Sequence, residues 1–572
     1  MINRKNSHER RRKVIAALVV FVFFALLVKL TYIQIIKYSQ INNTVQKMVT
    51  RESVEAPKRG DILDAKGRIL ATSIKKYTLF IDPTTAQDYP RIKKVLLIYG
   101  ISLKQKSLDE FGDTGYVPLA ANLDDDTVSK IKNEKLIGVG FNWKYVRQYP
   151  EMRMLSNILG LTGSDGVGLE GIEKMCDGYL SGDKITTKQY RDGRGRIIDD
   201  TIADQSKIQG LDVTLTIDKN IQFIAEDELR KAYDKYKALK AVCIVQNPQT
   251  GEILAMVSLP DFDASGKIKS VADLRNSAVS DGFEPGSTFK IVALSAALEE
   301  KKVNLTEQFY LENGKYAIYD RVIRDDHTLK GSANIVKIME QSSNIGAIKI
   351  AQKLGADLFY NYIRKFGFYS LSGIDLPGEA RGILIDRNKW DGLSLPTFAF
   401  GQGLSVTAIQ IVNAYSAIAN GGVLMKPIII KSINKIDVAK DSAFGSKEVR
   451  RVISEQTAET MKSILKNVVD NGTGQAAKLK GYTTAGKTGT AQKVDPATKK
   501  YSTKNYIASF CGFVPADNPQ IVVLVLIDNP KGDYYAASVA APIFARIAQR
   551  TAEYMNIPPD DLAKNNDKRA RR

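Results

Sequence analysis

Fifteen consecutive residues without a polar side chain, Val14 to Val28, follow a basic N-terminal segment. That segment carries Arg4, Lys5, Arg10, Arg11, Arg12 and Lys13 against Glu9. Apolar character continues through Leu30, Tyr32, Ile33, Ile35 and Ile36, broken by Lys29, Thr31 and Gln34. As a helix, Val14–Ile36 would reach about 34 Å, and a bilayer core needs about 30 Å. Lys29 can extend its ammonium towards the far interface. The basic flank predicts that residues 1–13 are cytoplasmic and that the rest is exported. The sequence after Val28, KLTYIQIIKY, has no small-residue cleavage pattern, so the segment reads as an anchor and not as a removable signal. No later stretch is apolar for long enough to span, so the chain is expected to cross the membrane once.

Composition then narrows the chemistry. The 572 residues include 82 Lys and Arg and 63 Asp and Glu, a net charge of +19. For an exported chain, nucleic acid is not the expected partner. An anionic membrane surface or cell-wall polymer is, with a merely solvated basic surface as the plain alternative. Two histidines, His8 and His327, rule out an HExxH zinc site and any multi-histidine metal site. A Ser-His-Asp triad would have to use His327, which follows Asp325 and Asp326 in a loop-like, surface-type stretch. Cys176, Cys243 and Cys511 form no CxxC pair and no disulfide framework. Cys243 and Cys511 lie in strand candidates and read as small buried hydrophobes.

Beyond the anchor, residues 37–58 read as a juxtamembrane linker. Residues 59–210 are charged and Gly-rich, with short β-like pieces such as Tyr77–Ile81 and a polar stretch at Asp124–Asp126. From 211 the pattern sharpens. Leu211–Ile217 alternates like a strand, and Asn220–Tyr236 has helical periodicity. Ala241–Gln246 and Glu252–Ser258 form a hairpin around Gly251. Phe510–Val514 and Ile521–Ile527 are strands again, and Ala540–Tyr554 is a helix. Strands early and late with helices between predict an α+β domain whose sheet is built from both ends of the segment. Residues 558–572 read as a polar, disordered tail.

Three short motifs carry the chemistry. The first is Pro285-Gly286-Ser287-Thr288-Phe289-Lys290, leading into the apolar run IVALSAAL. Residues three apart share a helix face, so Ser287 and Lys290 can meet. A lysine in an apolar site can be neutral enough to serve as the base that a serine nucleophile needs. Taken alone this is weak, because Ser73–Lys76 and Ser129–Lys132 have the same spacing and Ser287 could be an ordinary helix cap. The second motif is Ser342-Ser343-Asn344, after the helical run ANIVKIMEQ; a hydroxyl and an amide two apart suit proton relay, although such residues often cap helices. The third is Ala485-Gly486-Lys487-Thr488-Gly489-Thr490-Ala491, whose small residues would let a peptide lie against an edge strand. GYTTAGKT, from Gly481, also fits a phosphate-binding loop. It lacks the preceding apolar strand and the following helix which that reading requires.

Together, S-x-x-K, S-x-N and K-T-G in one exported domain are the trio of penicillin-binding proteins and the related β-lactamases. The chain resembles a class B penicillin-binding protein, a peptidoglycan D,D-transpeptidase, over nearly its whole length. The resemblance extends to RGDILDAKGRILA at Arg59–Ala71, RQYP at Arg147–Pro150, GLEGIEKMCDGYLSG at Gly168–Gly182 and NPQTGEILAMVSLPDFD at Asn247–Asp263. It continues through FGQGLSVTAIQ at Phe400–Gln410, ANGG at Ala419–Gly422, GTGQAA at Gly472–Ala477 and VAAPIF at Val539–Phe544.

The resemblance implies a pedestal (dimerisation) domain at 59–210 and a transpeptidase domain at 211–557, with an antiparallel sheet, flanking helices and an all-helical lobe. It implies that Ser287 is the nucleophile and Lys290 its base. Ser342, Asn344 and Lys487 would relay protons and hold the donor peptide. Thr488, Gly489 and Thr490 would bind substrate, and the backbone N–H groups of Ser287 and Thr490 would form the oxyanion hole. The implied substrates are stem peptides and the implied inhibitors β-lactams. No metal or organic cofactor is implied. A multi-pass glycan polymerase, other division proteins and the inner membrane are the implied partners, with the catalytic domain periplasmic. Residues 59–210 are too few for a glycosyltransferase, so no polymerase activity is expected. Length and the GVGLEGIEKMCDGYLSG segment look most like the division-specific (septal, FtsI-type) enzyme of a Gram-negative cell. The alternatives are the elongation-specific enzyme, a hydrolase using the same acyl chemistry, and a non-catalytic division scaffold. Tyr534 and Tyr535 are read as ordinary packing or as a lining of the cleft.

Overall fold

The computed structural model describes residues 3–561 except 56, 113, 183–184, 192–196, 201–208, 267, 269, 435–443, 496 and 499. Two compact units emerge. One holds residues 1–58 and 183–209, the other residues 59–182 and 210–572.

In the first unit, helix Asn3–Thr31 runs into a π-turn at Tyr32–Ile36. Glu9–Ile36 is the one stretch among the described residues long and apolar enough to cross a membrane. This is the helix expected as the membrane anchor, and its length and apolarity suit that role. The segment expected as a linker instead forms helix Tyr38–Val49 and strand Thr50–Glu55. The strand pairs antiparallel with Ile185–Arg191, which pairs in turn with Ile197–Asp200. Its partner lies more than a hundred residues downstream, so no local pattern announces it.

The second unit begins with a sheet centred on the long strand Ile69–Ile81, paired with Val117–Leu123 and Val139–Gln148. Leu79, Ile81, Ile92, Leu96 and Ile131 form a small core beneath it. The expected polar stretch at Asp124–Asp126 starts a helix, Asp125–Asn133, capped by the Asp124 side chain. At the other end, Ile62–Leu63 pairs in parallel with Val213–Leu215, and that short strand pairs with Ile430–Ile433. Segments from both sides of residue 210 therefore share one sheet. Beside it, fully buried Glu173 joins Arg59 (Nε–Oε2, 2.6 Å) and Arg147 (Nε–Oε1, 2.7 Å).

The central sheet has five strands: β1 (Lys240–Gln246), β2 (Ile253–Leu259), β3 (Ala485–Val494), β4 (Tyr501–Val514) and β5 (Ile521–Asp528). Their order is β2-β1-β5-β4-β3, antiparallel throughout. Strand β5 is buried along its whole length, as befits the middle of a sheet covered on both faces. Period-two alternation divides its side chains. Cys243, Val523 and Val525 join a core with helices Lys219–Tyr236 and Ala540–Tyr554. Leu524, Leu526 and Cys511 face the larger core with helix Ala408–Ala419 and the helical lobe. All three cysteines are buried and free. The chain end is better ordered than its polarity suggests. Asp560 accepts hydrogen bonds from the backbone N–H (2.7 Å) and hydroxyl of Thr483; of the tail expected at 558–572, residues 562–572 lie outside the described residues.

Candidate active site

The nucleophile turn is fixed by two close approaches. Gly286 has φ +54°, and a Cβ there would stand 3.2 Å from Ala491 Cβ. Its N–H donates to the carbonyl of Gly401 (3.0 Å), where a Cβ would sit 2.2 Å from Gly286 O. Residues Gly286–Phe289 form a 3₁₀ turn, and the α-helix begins at Lys290 and runs to Glu299. Thr288 Oγ1 donates to Pro285 O (2.8 Å), and buried Phe289 packs edge-on to Phe368. Of residues 286–290, only Ser287 keeps part of its surface exposed.

Lys290 is buried along the start of an apolar helix, 1% exposed. Its Nζ donates to Ser342 O (2.6 Å), Ser342 Oγ (3.3 Å) and Asn344 Oδ1 (2.8 Å). A 3₁₀ turn still sets residues three apart on one side. No hydrogen bond joins Lys290 Nζ to Ser287 Oγ among the described residues, so the expected direct meeting of the two is not made here. Burial lowers the Lys290 pKa from its ordinary 10.5 to about 7, against the opposing pull of Asp325 and Asp326.

Helix Ile335–Glu340 stops just before this second motif. Ser342 has φ +56°, and Ser343 accepts from Gly346 N (2.9 Å) as the cap of helix Asn344–Leu354. Asp325 holds the turn together. Its carboxylate accepts from Ser343 Oγ (2.6 Å), Asn344 N (2.6 Å) and Ile345 N (3.0 Å). Sequence reasoning missed this role. The available signal was a doublet of aspartates in an otherwise basic loop.

The third motif lies on β3, the outermost strand. Gly489 lets it run against the nucleophile turn: a Cβ would meet Ser509 Oγ at 2.7 Å, Thr288 Cγ2 at 2.8 Å and Pro285 O at 2.9 Å. Gly486 is equally confined, by the ring of Phe510 at 2.7 Å. Lys487 is fully buried, and among the described residues its Nζ reaches only neutral oxygens: Thr488 Oγ1 (3.2 Å), Thr488 O (3.3 Å) and Thr473 Oγ1 (3.4 Å). With no carboxylate beside it among the described residues, burial pushes its pKa well below 10.5, and the neighbouring Lys290 pushes it further. Two ammonium groups in one dry site repel, so the pair favours at most one proton between them. Thr473 and Thr488 share a hydrogen bond between their hydroxyls (2.9 Å). Thr473 is a second residue that sequence reasoning passed over, although it lies in the GTGQAA segment.

Thr490 Oγ1 accepts from Ala536 N (3.0 Å), which ties β3 to the loop carrying Tyr534 and Tyr535. Tyr534 stacks between Tyr506 and Tyr535, with centroids at 4.0 and 4.5 Å. The competing S-x-x-K pairs are not sites. Ser129 and Lys132 are exposed on helix Asp125–Asn133, and Ser73 and Lys76 lie on a strand, where residues three apart face opposite ways. His327 is exposed. Among the described residues, no group of three or more His, Cys, Asp and Glu side chains converges as a metal site.

Residues 241–549, more than half of the chain, match the penicillin-binding protein transpeptidase domain. Residues 54–215 match the penicillin-binding protein dimerisation domain. The chain belongs to the class B penicillin-binding proteins. These are the penicillin-sensitive serine enzymes that act as peptidoglycan D,D-transpeptidases. Stage V sporulation protein D of Bacillus subtilis is 36% identical over 561 residues, covering 94% of this chain and 85% of the relative. Peptidoglycan D,D-transpeptidase FtsI of Buchnera aphidicola is 32% identical over 564 residues, 95% of each. Penicillin-binding protein 3 of Mycobacterium tuberculosis, solved with aztreonam, superposes with a TM-score of 0.67 at 30% identity, over 89% of this chain and 98% of that one.

Proposed function

We propose that this class B enzyme cross-links stem peptides through an acyl-enzyme on Ser287. Ser287 Oγ attacks the carbonyl of the D-Ala-D-Ala bond while neutral Lys290 takes its proton. The C–N bond breaks, and the departing D-alanine leaves as an amine, protonated through the Lys290, Ser342 and Lys487 set. An amino group from a neighbouring stem peptide then attacks the ester, restores Ser287 and forms the new amide. The backbone N–H groups of Ser287 and Thr490 stabilise the oxyanion, a contribution of a few kcal/mol in sites of this kind. Asn344, Thr488, Gly489 and Thr490 orient the extended peptide.

The observation that carries this reading is the hydrogen-bonding of Lys290 Nζ to both Ser342 and Asn344, one helical turn from the half-exposed Ser287. We divide the chain into a cytoplasmic segment (1–13), an anchor (14–36), a pedestal (59–210) and a transpeptidase domain (211–557). The family matches at 54–215 and 241–549 support the last two parts. We place the catalytic domain on the outer side of the membrane, as the basic N-terminal flank directs, and assign septal cross-linking beside a multi-pass glycan polymerase. The relative named FtsI supports the septal role. The relative named for sporulation supports a second reading, cross-linking in a spore envelope.

Labelling of the detergent-solubilised protein with a fluorescent penicillin tests the chemistry. Stable label is expected on wild type and on Ser129→Ala and none on folded Ser287→Ala. Label retained in Ser287→Ala, or rapidly turned over by wild type, defeats it. Depletion in cells separates the roles: filaments mark septal work, rounded cells elongation, and a defect confined to spores the second reading.

A further inference from the structure

Helix Ala408–Ala419 is buried at every one of its 12 positions. Most of it is apolar, and each large polar side chain it carries has a partner. Gln410 completes a capping box with Thr407 and donates to the carbonyls of Ser370 and Arg381 (3.0 Å each). Asn413 and Ser416 meet Gln246 at the end of β1: Gln246 Nε2 donates to Asn413 Oδ1 (2.8 Å), and Ser416 Oγ donates to Gln246 Oε1 (2.6 Å). Tyr415 reaches instead to the nucleophile turn, where its hydroxyl donates to the carbonyl of Thr288 (3.0 Å).

A phenylalanine would fill the same space. A hydroxyl in so apolar a place costs free energy unless it is partnered. Burial raises the Tyr415 pKa well above 10, so the hydroxyl stays a donor. Its acceptor is a backbone oxygen one residue after Ser287. Residues Gly286–Phe289 form a 3₁₀ turn, whose internal hydrogen bonds are poorer than those of an α-helix. Other contacts must therefore hold it. The Gly286 N–H bonds to Gly401 O (3.0 Å) and fixes how the chain enters the turn. Thr288 Oγ1 bonds to Pro285 O (2.8 Å) and closes the turn on itself. Tyr415 ties its far side to a helix that Gln246 anchors on the central sheet. The same stretch of chain backs the approach to the turn, since Phe283 and Val406 exchange two backbone bonds (2.9 Å each).

We propose that Tyr415 is a positioning residue for Ser287: by holding the Thr288 carbonyl, its hydroxyl fixes the turn so that the Ser287 hydroxyl and N–H meet the scissile carbonyl together. This rests on Ser287 as the nucleophile. In the same reading, initial binding belongs to Lys487, Thr488 and Thr490 on β3, and Lys290 keeps its own bonds to Ser342 and Asn344. Removing the Tyr415 hydroxyl therefore slows acylation and leaves initial binding and the protonation of Lys290 as they are.

Stopped-flow acylation of the full-length, detergent-solubilised protein by a chromogenic cephalosporin separates these quantities. Tyr415→Phe is expected to lower the first-order acylation rate at saturation by about 10- to 100-fold, the scale of a displacement of about 1 Å. The half-saturating concentration should not change, and the acid limb should still bend near pH 7. Ser416→Ala is the control for a loosened helix, because it breaks the neighbouring bond to Gln246 and none to the turn; it should acylate like wild type. Tyr415→4-aminophenylalanine puts a weaker N–H donor in the same place and should fall between wild type and Tyr415→Phe. Should Tyr415→Phe not fold, slower acylation by the amino variant at unchanged half-saturation carries the proposal, and wild-type acylation by it overturns the proposal. Wild-type acylation by folded Tyr415→Phe also overturns it. So does a loss that Ser416→Ala reproduces, or one that appears in the half-saturating concentration and not in the rate. Label lost in Ser287→Ala with no effect in Tyr415→Phe sinks the role of Tyr415 alone; label retained in Ser287→Ala defeats the nucleophile reading and this proposal with it.

Discussion

Lys290 Nζ donates to the backbone carbonyl of Ser342 across 2.6 Å, and Ser342 holds a left-handed φ of +56° to present it. Such a conformation costs a non-glycine residue about 1–3 kcal/mol and persists only where the surroundings over-determine it. Here the surroundings do. Ser343 caps the next helix, and Asp325 gathers the Ser343 hydroxyl and two successive N–H groups. The turn thus aims one carbonyl, one hydroxyl and one amide oxygen at a single buried amine. As the neutral amine, Lys290 donates two N–H bonds, to Ser342 O and Asn344 Oδ1, and keeps a lone pair at its third contact, the Ser342 hydroxyl, which is the state a general base requires.

The pH dependence of acylation follows. Lys290 is effective as the neutral amine, and burial brings its pKa down to about 7. The rate of penicillin acylation should rise about tenfold per pH unit on the acid side, bend near pH 7 and stay level above it. Rapid-mixing measurements from pH 5.5 to 9 with a fluorescent penicillin will show the bend. A profile that keeps rising towards pH 10 would mean that Lys290 is solvated and is not the base.

Asp325→Asn should move that bend and lower the plateau. The Asp325 charge raises the Lys290 pKa against burial, so its removal leaves the amine neutral to a lower pH, and the acid limb shifts downward. The plateau falls because an amide replaces a carboxylate that takes three hydrogen bonds; misplacement by about 1 Å can cost roughly 100-fold. We expect a loss of about 10- to 100-fold with the limb displaced to lower pH. A limb displaced upward, or an unchanged plateau, contradicts this account.

Gly489→Ala tests the contact between strand and nucleophile turn. The new methyl would stand 2.7 Å from Ser509 Oγ and 2.9 Å from the Pro285 carbonyl, and the latter belongs to backbone that cannot swing away. Overpacking of this kind costs about 1–3 kcal/mol. The midpoint of chemical unfolding should fall accordingly, and acylation should slow by more than tenfold in protein that is still folded. Wild-type acylation in the alanine variant would show that the strand has room to spare.

The parts legible from sequence were those written in local periodicity or in rigid motifs. Strands β1, β2 and β5 and the helix Ala540–Tyr554 are strong apolar patterns, and the three motifs are short runs whose spacing the turn and edge strand enforce. What escaped has a long-range cause. Strand β4 begins at Tyr501, nine residues before its apolar segment, because β3 pairs with it that far out. Thr50–Glu55 is a strand only because Ile185–Arg191 lies beside it. Asp325 stands 18 residues before Ser343 and looks like loop until the fold closes the gap. The i, i+3 rule placed Ser287 and Lys290 on one side but could not show that Ser342 and Asn344 would claim the amine.

Glu173 offers a test away from the cleft. It is wholly buried, and its two oxygens take Arg59 Nε and Arg147 Nε, while Arg59 also donates to Asp177 Oδ1 at 2.6 Å. Arg147 NH1 donates onward to Gly60 O (2.7 Å), so the network clasps the start of this unit to the Gly171–Met175 helix. Burying such a cluster gains little over apolar packing, but removing the Glu173 charge takes the carboxylate away from both guanidinium groups in a dry site. Arg59 keeps Asp177, so it is Arg147 that loses its anion, a loss typically of about 3–5 kcal/mol. Glu173→Gln should therefore unfold at a clearly lower denaturant concentration than wild type. None of its partners belongs to the Ser287 cleft, so acylation by penicillin under native conditions should stay within about twofold. A variant as stable as wild type would show that water reaches the cluster and screens it. A variant that is stable yet slow to acylate would show that the network acts on the catalytic turn.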